Sequence, residues 1–174
     1  MKNFLIALLA TISIGFFGMR IYKGIKFKQN VSGYLKRAAD ANTIELANEE
    51  LTKVIDYLEA NDITTGYTSI LYKTPDEDID FWYKNLKASQ NELQNLKSES
   101  ALERTNVLIK LRETLLDSGK KTKVTVPKGL AVFPNNKIWA FLMLIALIAG
   151  FTAIMIPVIE ADKKTKSKAA NDKM

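Results

Sequence analysis

Residues 138–159 read IWAFLMLIALIAGFTAIMIPVI, twenty-two residues without a charge. At about 1.5 Å of rise per residue such a run makes about 33 Å of helix, enough to cross the hydrocarbon layer of a bilayer. A backbone in that layer must satisfy its own hydrogen bonds, so the run is read as a transmembrane helix. A second uncharged stretch, Asn3 to Met19, lies between Lys2 and Arg20. Its apolar part, FLIALLATISIGFFGM, reaches about 24 Å and spans only if its flanks snorkel or the bilayer thins. The competing reading is a cleaved signal with a small-x-small site at Ser13-Ile14-Gly15. Only about nine apolar residues precede that site, near the low end for a signal, and the retained anchor is preferred.

Charge is segregated around these runs. Between Asp40 and Ser118 there are 16 acidic and 8 basic residues, a balance of −8, whereas the rest of the chain has 17 basic and 3 acidic, a balance of +14, within a total of +6. The basic excess borders the apolar runs: Arg20, Lys23, Lys26 and Lys28 after the first, Lys120, Lys121 and Lys123 before the second, Lys163 and Lys164 after it. Anionic lipid headgroups account for that placement. Nucleic acid does not, because the lysine tail interleaves no aromatic residue as a stacking platform.

Between the runs lie two helical patterns. In the first, Ile44, Ala47, Leu51, Val54, Ile55 and Leu58 recur in steps of three and four, one stripe on a helix that stops at Asn61-Asp62. Gly24 and Gly33 weaken a continuous helix from the first run without forbidding it. The second pattern starts at Thr74-Pro75-Asp76-Glu77, read as hydroxyl cap, proline at the first helical position and returning glutamate. Its stripe runs through Ile79, Trp82, Leu86, Leu93, Leu96, Val107, Leu108, Leu111 and Leu115 to a stop at Ser118-Gly119. Residues 20–60 and 75–118 would make helices of about 62 and 66 Å. The lengths match.

That match predicts an all-α membrane protein in which two transmembrane helices flank a long, coiled-coil-like antiparallel helical hairpin. Its parts in order are a first transmembrane helix (1–19), the hairpin (20–118) with its tip at 61–74 far from the membrane, a juxtamembrane linker (119–137) lying near the membrane surface, a second transmembrane helix (138–159) and a basic disordered tail (160–174). Within the linker, Leu130–Phe133 is apolar enough to dip into the headgroups, and Trp139 is an interfacial anchor. A polar gap across Lys97–Ser100 leaves open a second helix broken in two and a squatter three-helix arrangement. Small residues line one side of each span, Ala7, Thr11 and Gly15 in the first and Ala146, Ala149, Gly150 and Ala153 in the second. Such faces admit close packing, of the spans on each other or on further copies of the chain.

Chemistry is constrained mainly by what is missing. With no cysteine and no histidine the chain has no disulfide, thiolate zinc site, imidazole ligand or histidine-based triad. Asp76, Glu77, Asp78 and Asp80 crowd a helix start, where the dipole favours them; their spacing is not that of a calcium loop. Asp78 and Asp80 also lack the apolar pocket that would raise one carboxyl for acid catalysis. No enzyme and no cofactor is expected. The aromatic residues at the tip are the remaining oddity. Phe81, Trp82 and Tyr83 are consecutive, about 100° apart on a helix, so one stripe cannot bury all three.

Tyr67, Tyr72, Phe81, Trp82 and Tyr83 are therefore the expected contact surface for a protein partner. The expected function is a non-enzymatic, membrane-anchored scaffold, adaptor or accessory subunit, multi-pass with two spans. The alternative is a membrane-remodelling or lesion-forming, phage-holin-like oligomer. Six basic residues after the first span, Arg20 through Arg37, put the hairpin in the cytoplasm; the Asn30-Val31-Ser32 glycosylation sequon argues the other way.

Overall fold

A computed structural model describes residues 1–69, 73–98, 100–117, 122–133 and 137–171, the side chains at 137 and 168–171 excepted. Its helices are α1 (Lys2–Phe27), α2 (Gly33–Ala39), α3 (Ile44–Ala60), α4 (Ile79–Asn95), α5 (Ala101–Leu115) and α6 (Lys137–Asn171). A single π turn, Lys28–Ser32, carries α1 into α2, and β1 (Leu116–Asp117) pairs antiparallel with β2 (Lys123–Val124). The all-α class holds, with this two-residue ribbon as its one sheet among the described residues. The chain divides into two compact units, Met1–Tyr22 with Lys137–Met174, and Lys23–Asn136.

In the first unit α1 and α6 pack antiparallel. Lys2 pairs with Glu160 at one end, and toward the other Phe16 meets the Trp139 ring at 5.7 Å and Arg20 Nη1 approaches Met143 Sδ at 3.2 Å. Ala146, Ala149 and Ala153 are buried, and a Cβ on Gly150 would stand 2.6 Å from Ser13 Oγ. The small-residue side of α6 is therefore its packing side. On α1 the small-residue side is not the one that meets α6: Ala7, Thr11 and Gly15 are exposed, and Ser13 and Phe16 are buried. Small size permits close approach but does not choose a face, and here the ring and hydroxyl that fit α6 choose it. Both helices are long and apolar enough to cross a membrane, and only 6% and 17% of their most apolar windows are buried by protein. Phe4, Ile14, Phe141, Phe151 and Ile154 all point outward.

Where the basic tail was expected to be disordered, α6 instead continues through Pro157 to Asn171. Alanine and lysine are strong helix formers, and Lys166 Nζ donates to Asp162 one turn back at 2.7 Å.

The second unit is a helical bundle built on α3. Its stripe of Ile44, Ala47, Leu51, Val54, Ile55 and Leu58 is buried throughout. Tyr34 lies under Lys53 and Arg37 meets Glu50, so α3 runs back along α2; Glu59 meets Tyr83 and Thr52 meets Gln90, so α4 runs back along α3. Further out Arg104 reaches Glu45 and Lys110 reaches Glu92, which seats α5 against both. Phe27, Val31, Leu35, Trp82, Leu86, Leu111 and Leu115 complete the core.

Neither long arm of the expected hairpin exists. The first breaks at residues 40–43, where Thr43 takes an extended backbone and its hydroxyl accepts from the Leu46 amide at 3.2 Å, capping α3. The second stops as α4 at Asn95 and resumes as α5 at Ala101, across the polar gap. With 17 residues each, α3 and α4 are about 26 Å long rather than 60. The start of α4 also differs. Thr74 Oγ1 donates to Glu77 Oε2 at 2.7 Å across a short 3₁₀ turn, and the cap of α4 is Asp78, whose Oδ1 accepts from the amides of Asp80 and Phe81 at 2.9 and 3.3 Å. The expected stop at Ser118-Gly119 lies outside the described residues.

The linker supplies core rather than headgroup contacts. Leu130, Val132 and Phe133 are buried, and the Trp82 indole donates to the Thr125 carbonyl at 2.9 Å. Leu130 and Ala131 come beside Lys23 and Phe27, so the last described segment of this unit lies next to its first. Lys23, Phe27, Asn61, Ile63 and Leu130 line one hollow of about 210 Å³. Asn61 and Ile63, where the tip begins, thus lie beside Lys23 and Phe27 at the start of this unit.

Candidate contact site at the tip

The tip begins with a helix stop that explains its direction. After α3, Asp62 adopts φ 55°, its amide donates to the Glu59 carbonyl at 3.2 Å, and the Ile63 amide donates to the Leu58 carbonyl at 2.8 Å. This is a Schellman arrangement, with Ile63 folding onto Leu58 as its apolar contact. Gly66, at φ 95°, then turns the chain so that its carbonyl accepts from the Ile79 amide at 2.8 Å, while the Thr68 amide donates to the Glu77 carbonyl at 3.1 Å. Tyr67 is thereby fixed opposite Asp78.

A hollow of about 270 Å³ opens there, lined by Tyr67, Lys73, Pro75, Asp78 and Phe81. Phe81 is 64% exposed, and the Lys73 ammonium stands 4.9 Å from the centre of the Tyr67 ring. The Asp78 charge, aided by burial and a hydrogen bond to the same carboxylate, raises the Tyr67 phenol above the ordinary tyrosine range. The phenol stays protonated beside a carboxylate that is already committed to the helix cap.

Five aromatic residues were expected to form this surface, and the structure divides them. Phe81 and Tyr67 line the hollow. Trp82 does not belong to it: only 7% exposed and bonded to Thr125, it is a core residue. Tyr83 is half-buried, its hydroxyl donating to Glu59 at 2.5 Å. Burial first, then that bond, pushes the Tyr83 phenol up to about 12, and the same bond is the largest cause holding Glu59 below the carboxylate range. Tyr72 lies outside the described residues. The helix geometry that forbids burying three successive rings is resolved by Phe81 alone turning outward.

The basic residues assigned to headgroups are dispersed. Arg20, Lys26 and Lys28 are exposed along α1 and the π turn, Lys23 is half-buried, Lys123 is exposed on β2, and Lys163 and Lys164 are exposed on α6. Lys120 and Lys121 lie outside the described residues. Sequence reasoning passed over Glu50. It is 1% exposed, held by Arg37 at 2.8 Å and Lys53 at 3.1 Å, and its Oε2 has no hydrogen-bond partner among the described residues. The signal was available, since Glu50 falls on the apolar stripe between Ala47 and Val54. Among the described residues no three carboxylates gather as a metal-binding group. Asp76, Glu77, Asp78 and Asp80 serve the 3₁₀ turn, the cap and a 2.6 Å pair from Asp80 to Lys84, or stay in solvent.

No family model, curated protein or solved structure matches this chain. The reading of the site rests on its geometry.

Proposed function

We propose that the chain is a membrane-anchored, non-enzymatic helical bundle that serves as a scaffold or accessory subunit of a membrane complex. α1 and α6 cross the bilayer, and the bundle of residues 23–133 lies in the cytoplasm. The observation that carries this reading is the contrast between the two units. The bundle has its own buried core, whereas the apolar side chains of α1 and α6 are left uncovered, a surface that hydrocarbon suits and water does not. The contact surface is the hollow between Tyr67 and Phe81, reduced from five rings to two described ones.

Alkaline carbonate extraction tests the anchor: the chain is expected in the membrane pellet, and release into the supernatant refutes it. Native electrophoresis of gently solubilised membranes tests the subunit role. A band well above the size of the lone chain is expected, and a monomer alone rejects the scaffold.

One observation favours the lesion-forming alternative. The Ala7, Thr11 and Gly15 stripe is exposed while α1 packs on α6 through another face, which leaves a close-packing surface for further copies. Dye release from vesicles on adding the purified chain would favour that alternative, and tight vesicles would exclude it.

A further inference from the structure

We propose that the occupant of the tip hollow is a basic segment of a partner protein, with an arginine or lysine side chain seated against the Tyr67 and Phe81 rings and drawn by the carboxylate of Asp78 in the hollow and that of the nearby exposed Asp76. This names the partner chemistry for the contact surface assigned above and rests on that assignment.

Two observations support it. The first is charge. Residues 59–84 carry six acidic side chains, Glu59, Asp62, Asp76, Glu77, Asp78 and Asp80, against Lys73 and Lys84. Several are committed within the fold, but Asp76 is exposed two residues before Asp78, and Asp78 lines the hollow itself. An anionic lipid surface is repelled by such a patch and a cationic segment is drawn to it.

The second is a stand-in inside the structure. The Lys73 ammonium, 4.9 Å from the Tyr67 ring centre, already uses one aromatic face as a cation seat. The second ring, Phe81, is 64% exposed, with a Pro75 wall beside it. Aromatic faces beside a carboxylate are chemistry suited to a guanidinium, which stacks and donates at once.

The test uses the full chain in neutral detergent micelles and a fluorescent nine-residue peptide carrying four arginines, with a peptide carrying glutamines in their place as the neutral comparison. Fluorescence anisotropy is expected to show the arginine peptide bound and the glutamine peptide bound at least tenfold more weakly. Phe81→Ser, and separately the pair Asp76→Asn with Asp78→Asn, are each expected to weaken arginine-peptide binding tenfold or more. Asparagine caps a helix as aspartate does, so α4 keeps its start, and circular dichroism of the variants should match the parent. Glu103→Gln, an exposed charge on α5, should change binding less than twofold.

Equal binding of the two peptides, or equal losses in all the variants, overturns the proposal. So does self-association of the chain that disappears in the Asp76/Asp78 pair, which would make the occupant a second copy. A failure here with the high-mass native band intact removes only the basic partner, whereas loss of that band removes the scaffold reading whatever the peptide does.

Discussion

At the scale of single residues, the tip is organised by side chains whose protonation and backbone geometry are fixed by neighbours. Tyr83 is the clearest case. Its phenol titrates near 10 in an unfolded chain and at about 12 in the fold. A folded-state pKa raised in this way contributes stability that is complete below about pH 10 and is lost as pH rises toward 12. Tyr83→Phe should therefore flatten the fall in melting temperature between pH 9 and pH 11.5, and equal falls in parent and variant would refute the Tyr83–Glu59 bond as its source. The lysines with raised values, Lys53 and Lys84, are present in both proteins and cancel in the comparison. Asp62 gives a second prediction. It occupies the left-handed position of the α3 stop, which glycine fills without strain. Asp62→Gly should stabilise the bundle by about 0.5–1 kcal/mol in a denaturant titration followed by helicity, and a destabilised variant would mean that its carboxylate has a structural role. That the tip stops at Asn61-Asp62 was legible in the sequence. That the stop is a Schellman turn, which sends Ile63 back onto Leu58, depends on one backbone angle that no periodicity reports.

At the scale of elements, the apolar stripes were legible and the lengths were not. Every residue of the α3 stripe is buried, because steps of three and four leave a helix only one face to hide. The same reading extended the helices past their ends, since Thr43 and the gap at 96–100 look like tolerable interruptions until a four-helix packing makes better use of them. The linker was misread for a related reason. Leu130, Val132 and Phe133 form too short a run to distinguish headgroup contact from core, and only the fold brings Thr125 to Trp82. Two measurements address elements directly. Asp78→Ala should cost about 1 kcal/mol through loss of the α4 cap, with Asp78→Asn close to neutral; equal costs would place the effect in the charge. For the α1–α6 pair, the Cβ built on Gly150 lies 3.3 Å from the Ser13 Cβ, close to disulfide geometry, in a chain with no cysteine. Ser13→Cys with Gly150→Cys should form an intramolecular disulfide under mild oxidation, seen as a reductant-sensitive mobility shift on gels. Crosslinked dimers in its place would show that α1 meets a different copy.

At the scale of the whole molecule, the all-α class and two apolar helices were legible from composition alone, because an uncharged run of 22 residues leaves a chain few choices. Sidedness is testable with the same absence of cysteine. Asn85→Cys on α4 and Lys166→Cys on α6 are exposed positions. In intact cells an impermeant thiol reagent should label Lys166→Cys and spare Asn85→Cys, and the reverse pattern would put the bundle outside. What the sequence concealed was the break in each arm, since equal arm lengths suggest a stalk whether or not the arms are continuous. A bundle whose first and last segments lie together behaves as an insertion: residues 23–133 interrupt a two-helix pair that packs through its own contacts, Ser13 against Gly150 and Phe16 against Trp139. Modules with adjacent ends survive transplantation and circular permutation, because moving them breaks few contacts. The bundle and its pair of helices are therefore free to diverge separately.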